Sequence, residues 1–256
     1  MSITQNPDPE VLARALLDDL LNCLSPGDLL CIPTGRSPRN LYRLIREDSG
    51  NAPLWSSLRY LQLDEYLDPS GTIPSFRDEL RQQIFDPLGV PHDQVFSIDP
   101  AGDPQSQANR LDQIFRDSGP PRASVLGLGN NGHIAFNEPG SSLGSRTRLK
   151  TLTSETIRDN SRFFGGLEKV PRLAVTMGVG TILETRKCVL VAFGENKAHA
   201  ISQAVEGPVT AQVTASALQL HPDVTVVIDE DAARHLKRKS YYEEVQQSHK
   251  WLEENS

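Results

Sequence analysis

The stretch LGLGNNGHIAFNEPG at residues 126–140 decides between two kinds of α/β protein. Its glycines fall as Gly127-x-Gly129-x-x-Gly132, the pattern of a turn that cradles a dinucleotide. Such a turn must run from its last glycine into a long helix. Here Pro139 and Gly140 break any such helix. Glu155 lies near the spacing of a ribose-binding acid, but no strand pattern leads to it. The dinucleotide reading is therefore set aside. The glycines are expected instead to let the backbone approach a ligand closely, with His133 and Glu138 supplying acid–base chemistry beside them.

Around this stretch, strand and helix patterns alternate. ASVLGLG at residues 123–129 reads as a strand, as do LLCIP at 29–33 and LRYLQL at 58–63. RLAVTMG, KCVLVAFG and VTVVID read as three more. Leu16, Leu17, Leu20, Leu21 and Leu24 form an apolar stripe at helical spacing, predicting a helix over residues 9–24. Further helices are predicted over 75–85, over 105–115 and within ENKAHAISQAVEG. Another begins at SPRNLYRLI, with Ser37 as its cap and Pro38 at its first position. Short β-rich runs alternating with helices imply a mostly parallel sheet with helices on both faces. No linker, repeat or low-complexity run divides the chain, so one domain over 1–256 is expected, with a helical tail from about residue 231.

In open α/β sheets, ligands bind beyond the carboxyl ends of the strands. After the first strand, PTGRSP places Thr34 and Gly35 in a turn before a helix. That is either a phosphate site or a routine capped turn. After the second, LDEY places Asp64 at a rigid tip, as a general base or as part of a solvated acidic turn. After KCVLVAFG, Lys197 falls in the first turn of a helix, where a cation opposes the helix dipole. A bound anion would offset that repulsion, and a solvated lysine is the alternative.

The formal charge of −7 argues against a general affinity for nucleic acid. No apolar run approaches the ~18 residues of a membrane span, and the N-terminus has no signal-peptide pattern. Cys23, Cys31 and Cys188 form no CxxC pair, which suggests buried reduced thiols in a cytoplasmic protein. No HExxH or His/Cys cluster suggests a metal.

The motifs PTGRSP, LDEY, GLGNNGHIAFNEPG, SRTRLKTLT, NSRFFGG, VPRLAVTMGVGTIL, GENKAHAISQAVEG and TASALQLHPDVTVVID occur in one order through nearly the whole sequence. In this the chain resembles the glucosamine-6-phosphate deaminase family. The resemblance implies a Rossmann-like three-layer α/β sandwich without a nucleotide cofactor or metal. It implies a reaction in which glucosamine 6-phosphate and water give fructose 6-phosphate and ammonia. By the same resemblance, Asp64 accepts the proton moved between C2 and C1, and His133 and Glu138 serve ring opening, with Asn131 supporting the histidine. Thr34, Gly35, Arg162 and Lys197 surround the substrate, the two cations on its phosphate.

Two positions depart from the commonest family pattern. Many relatives carry Asp at Asn131, and an Asn orients an imidazole without stabilising its charged form. Arg36 replaces a second glycine, either adding a phosphate contact or crowding the loop. Some members are hexamers activated by N-acetylglucosamine 6-phosphate at a subunit interface. Ser141, Ser142, Arg148 and Lys150 match their effector positions, although a solvated basic loop reads the same way. The N-terminus is expected to lack the opening strand of those members. A hexosamine phosphate is the expected partner, and the oligomeric state leans towards a homo-oligomer. Galactosamine-6-phosphate deaminase, 6-phosphogluconolactonase and a non-catalytic sugar-phosphate sensor stand as the alternative functions.

Overall fold

A computed structural model describes residues 1–254 of the chain. Its strands are β1 (Ser2–Gln5), β2 (Leu29–Ile32), β3 (Arg59–Gln62), β4 (Asp64–Tyr66), β5 (Val95–Phe96), β6 (Ala123–Gly127), β7 (Arg148–Thr151), β8 (Leu173–Thr176), β9 (Cys188–Ala192) and β10 (Val224–Ile228). Seven of them form one sheet in the order β1-β10-β9-β6-β2-β3-β5. Every pairing in that sheet is parallel.

The inner strands β2, β9 and β10 are buried on both faces, and their period of two divides the core. Leu29 and Cys31 of β2, with Cys188, Leu190 and Ala192 of β9, pack on one side against Leu111 and Ile201 of the helices Pro104–Ser118 and Ala198–Val205. Leu30 and Ile32, with Val189 and Val191, pack on the other against the helices Pro9–Leu21 and Arg39–Glu47. Helix, sheet and helix thus form the expected three-layer α/β sandwich.

The chain leaves β2 towards β3 and β5 on one side, then returns to β6 on the other side of β2. The strand order therefore reverses between β2 and β6. The crevice beyond their carboxyl ends is the standard ligand position of such sheets. PTGRSP and the glycine loop are the two segments that leave β2 and β6 there.

Three expectations are corrected. Ser2–Gln5 does form an opening strand, pairing with β10 from Ser2↔Thr225 to Gln5↔Ile228. Only Ile3 of the four is buried, as suits a short edge strand, so no apolar run marks it in the sequence. Ser37 does not cap the next helix. Arg39 N–H bonds to the Arg36 carbonyl and Tyr42 N–H to the Pro38 carbonyl, so the helix starts one residue later and Pro38 takes the cap position. Third, LRYLQL does not end the β structure at Asp64, because Asp64 starts β4. This strand pairs antiparallel with β8 in a second sheet, β4-β8-β7. Smaller differences are a shorter first helix, Pro9–Leu21, and a π-helical turn at Arg81–Phe85 within the predicted 75–85 helix. The C-terminal helix runs Lys239–Glu254. Cys31 and Cys188 are buried thiols, whereas Cys23 is only half-buried. Among the described residues, no helix is long and apolar enough to cross a membrane.

Candidate active site

A cleft of about 810 Å³ opens over the β2–β6 crevice. Thr34, Gly35 and Arg36 line it from the β2 turn, Asp64 from β4, His133 from the glycine loop, Arg162 from the helix Ser154–Phe164, and Lys197 from the turn after β9. Seven predicted site residues from five segments therefore face one space.

Asp64 sits at the crossover from the parallel sheet into the small one. The side chain of Gln62 donates to the Asp64 carbonyl at 2.8 Å and to Glu65 Oε2 at 3.0 Å. Glu65 is fully buried and also accepts from the backbone N–H groups of Tyr66, Phe76 and Arg77 at 2.8 to 3.0 Å. Two of those donors open the helix Phe76–Leu80, so Glu65 ties Asp64's strand to that helix's N-terminus. The rings of Tyr66, Phe76, Phe136 and Phe164 meet beside it, with centroids 4.8 to 5.1 Å from that of Tyr66. Asp64 stays accessible from the cleft yet is enclosed elsewhere. Burial, reinforced by the Glu65 charge, pushes its pKa up to about 7. A carboxyl group in that range can both take and return a proton near neutral pH.

The glycine loop aims His133. Its Nδ1 lies 2.7 Å from Asn131 Oδ1 and 3.5 Å from Glu138 Oε2, and Asn131 Nδ2 donates to the same Glu138 oxygen at 3.1 Å. Glu138 is 2% exposed, and burial pushes its pKa up. The hydrogen bond and charge of His133, joined by hydrogen bonding from Thr156 and Asn131, together outweigh that and bring it down to about 2. Asn131 and Glu138 thus form a layer behind the histidine rather than part of the cleft lining. Ala135, two residues on, holds a positive φ of 48°.

Gly129 shows why the loop needs a glycine. A Cβ there would lie 2.3 to 2.5 Å from ring atoms of His133. We expect Gly129→Ala to swing the imidazole out of place and to lower kcat at least ~10-fold, because a small misplacement of a reacting group is costly. The fold should survive, since Gly129 has no positive φ. Circular dichroism and steady-state kinetics on the variant check both halves, and unchanged kcat would refute the stated role of the glycine.

Lys197 lies across the cleft. Its Nζ donates to Asn130 Oδ1 at 2.7 Å, and Asn130 Nδ2 donates to Asp159 at 2.7 Å. Burial pushes the Lys197 pKa down to about 8, with Asp159 opposing and Arg162 assisting the shift. Glu65, Asn130 and Asp159 were not singled out from sequence. Each acts through a partner distant along the chain, and no local pattern announces that. The four effector candidates do not line the cleft. Ser141 is buried, Ser142 is exposed, and Arg148 donates to Asn137 Oδ1 at 2.9 Å and to the Arg146 carbonyl at 3.2 Å. Lys150 is half-exposed on β7.

Comparison with known proteins adds an independent line. Residues 7–227 match the family model described as glucosamine-6-phosphate isomerases/6-phosphogluconolactonase. A glucosamine-6-phosphate deaminase of Hahella chejuensis is 43% identical over 242 residues, covering 93% of each chain. One from Streptomyces coelicolor is 45% identical over 237 residues, covering 91% of this chain and 90% of its own. A solved monomeric glucosamine-6-phosphate deaminase superposes with a TM-score of 0.87 at 32% identity, covering 92% of this chain and 100% of that one. A 6-phosphogluconolactonase from Trypanosoma cruzi shares the fold, with a TM-score of 0.74 at 20% identity, covering 92% and 97%. The chain therefore belongs to the family of glucosamine-6-phosphate isomerases and 6-phosphogluconolactonases.

Proposed function

We propose that this chain is an enzyme that converts glucosamine 6-phosphate and water into fructose 6-phosphate and ammonia. One observation carries the choice within the family: the cleft pairs an imidazole backed by a carboxylate with a separate carboxyl group whose pKa lies at about 7. Hydrolysis of a lactone needs one base to activate water. A deaminating isomerisation needs two proton-transfer stations, one at the ring and one at C2. The curated deaminase relatives support the same choice.

The chemistry assigns the stations. The pyranose hides its aldehyde, so His133 takes the anomeric hydroxyl proton and serves its delivery to the ring oxygen, held in register by Asn131 and Glu138. The C1 carbonyl then acidifies the C2 hydrogen. Asp64 removes it and returns a proton to C1, leaving an iminium at C2. Water adds to that carbon, ammonia leaves, and the ketone of fructose 6-phosphate remains. Arg162 and Lys197 hold the phosphate, with Thr34 and Gly35 at the β2 turn and Arg36 at its rim.

An ammonia-release assay over glucosamine 6-phosphate, galactosamine 6-phosphate and 6-phosphogluconolactone tests the proposal. Glucosamine 6-phosphate should give stoichiometric ammonia and fructose 6-phosphate. Lactone hydrolysis without ammonia release would contradict it, as would binding of the sugar phosphate without turnover.

The pH profile follows from the same groups. Asp64 accepts a proton only when ionised, so kcat/KM should rise through about 7. Lys197 binds phosphate only when protonated, so kcat/KM should fall above about 8. Bound phosphate favours the charged lysine, so the alkaline limb of kcat should lie above that of kcat/KM. Profiles of both constants that are flat from about pH 6 to 9 would contradict these assignments.

A further inference from the structure

The cation end of the cleft contains a side-chain relay behind Lys197 whose other members, Asn130 and Asp159, the reaction scheme leaves unused. Asn130 Oδ1 accepts from Lys197 Nζ at 2.7 Å and from Asn196 Nδ2 at 2.9 Å. Its Nδ2 donates to Asp159 Oδ2 at 2.7 Å. A carboxamide has one accepting end and one donating end. The bond to Asp159 therefore fixes which end faces the lysine. Turned over, the amide would point its NH₂ at an ammonium and its oxygen at a carboxylate, losing these bonds.

The three members come from separate segments: the loop after β6, the middle of the helix Ser154–Phe164, and the turn after β9. All three line the cleft. Lys197 needs such support. It stands at the N-terminus of the helix Ala198–Val205, where the dipole opposes a cation. The charged groups that face it are Asp159 and Arg162, both on the helix Ser154–Phe164. The glycine loop bonds it through the neutral Asn130 and brings the titratable His133 to the same cleft, and its own turn adds Asn196, while Glu195 there is engaged by Arg234.

We infer that Asp159 is a positioning residue that acts through the Asn130 amide to keep the Lys197 ammonium charged and aimed at the substrate phosphate, a role that rests on the proposal that Lys197 binds that phosphate. Asp159 repels a phosphate itself, so its contribution passes through the amide and through its charge on the lysine. Burial and Arg162 drive the proton off Lys197, and Asp159 opposes them. Neutralising Asp159 should therefore lower the lysine pKa further, and the alkaline limb of kcat/KM should move to lower pH.

The test compares Asp159→Asn with Lys197→Met. Asp159→Asn keeps an acceptor for Asn130 and removes only the charge. At about pH 8.5 its KM for glucosamine 6-phosphate should rise roughly 5- to 10-fold, with a smaller loss in kcat. Competitive inhibition by inorganic phosphate should weaken by a similar factor. At about pH 6.5, where Lys197 is protonated in both proteins, the difference should shrink to roughly 2-fold or less. Equal losses at both pH values with a lowered Tm would overturn the inference in favour of a purely structural role. So would an unmoved alkaline limb in Asp159→Asn alongside a raised KM in Lys197→Met, an outcome that leaves the phosphate role of Lys197 standing. If Lys197→Met changes neither KM nor phosphate inhibition, the phosphate role and the relay fall together.

Discussion

Asp64→Asn should bind glucosamine 6-phosphate with near-normal affinity and lose at least ~100-fold in kcat, the usual scale of a positioned general base. The amide keeps the size of the side chain but cannot accept the C2 proton. Its position at the start of β4 is fixed by backbone pairing with β8 and by Gln62, neither of which uses the carboxylate oxygens. The fold should not suffer, and stability should change in the opposite direction to activity. The group's ordinary pKa of 3.8 rises to about 7 in the fold. Folding is therefore penalised when the carboxylate is ionised above about 7, by at most ~4 kcal/mol, and the penalty disappears below about pH 4. Asp64→Asn should accordingly unfold at a higher temperature than the parent at pH 8 and at the same temperature at pH 4. Near-normal turnover would remove Asp64 from the reaction. A variant less stable than the parent at pH 8 would contradict the origin of the shift.

The second large effect concerns His133. His133→Gln should lower kcat/KM on the cyclic substrate by ~10²- to 10⁴-fold. It should cost an analogue that lacks the C5 oxygen, and so cannot close the pyranose, far less. Only the cyclic form needs a ring-opening proton transfer. Glu138→Gln should follow the same ordering more weakly, because Glu138 contacts the histidine and does not line the cleft. It should also carry a pH signature in stability. The Glu138 pKa falls from 4.5 to about 2 on folding, so its contribution is present above about pH 4.5 and is lost as pH falls towards 2. The gap in Tm between the parent and Glu138→Gln should close over that interval. Equal losses on the cyclic substrate and the analogue would deny His133 its ring-opening role.

Much of this site was legible because strand ends are legible. Buried apolar runs mark β2, β6 and β9, and the residues following each one are necessarily at the crevice. Strand ends alone place Thr34, Gly35, His133 and Lys197 at the crevice, where they line the cleft. Asp64 was found at the end of its strand, although the chain turns there into a second sheet. Of that sheet only β8, within RLAVTMG, is marked in the sequence. β4 is three residues long, and β7 reads RLKT, with alternating partly exposed positions and no buried side chain. β1 buries one side chain of four. The supporting layer was hidden for a different reason. Glu65 looks like half of a solvated acidic pair until Phe76 and Arg77 bring their N–H groups to it. Asn130 and Asp159 are 29 residues apart and meet only because the helix Ser154–Phe164 folds over the cleft. Local patterns report which residues leave a strand, and only the tertiary fold reports what they lean on.

The most direct test of the chemistry follows the hydrogen on C2. Glucosamine 6-phosphate deuterated at C2 is turned over in ordinary water, and ammonia release is measured alongside loss of deuterium from C2 by mass spectrometry and proton NMR of the product. One deuterium should leave C2 for every ammonia released, and the coupled rate should collapse in Asp64→Asn while the substrate still binds. Ammonia released with deuterium retained at C2 would mean that water displaces the amine directly, and would contradict a reaction that runs through Asp64.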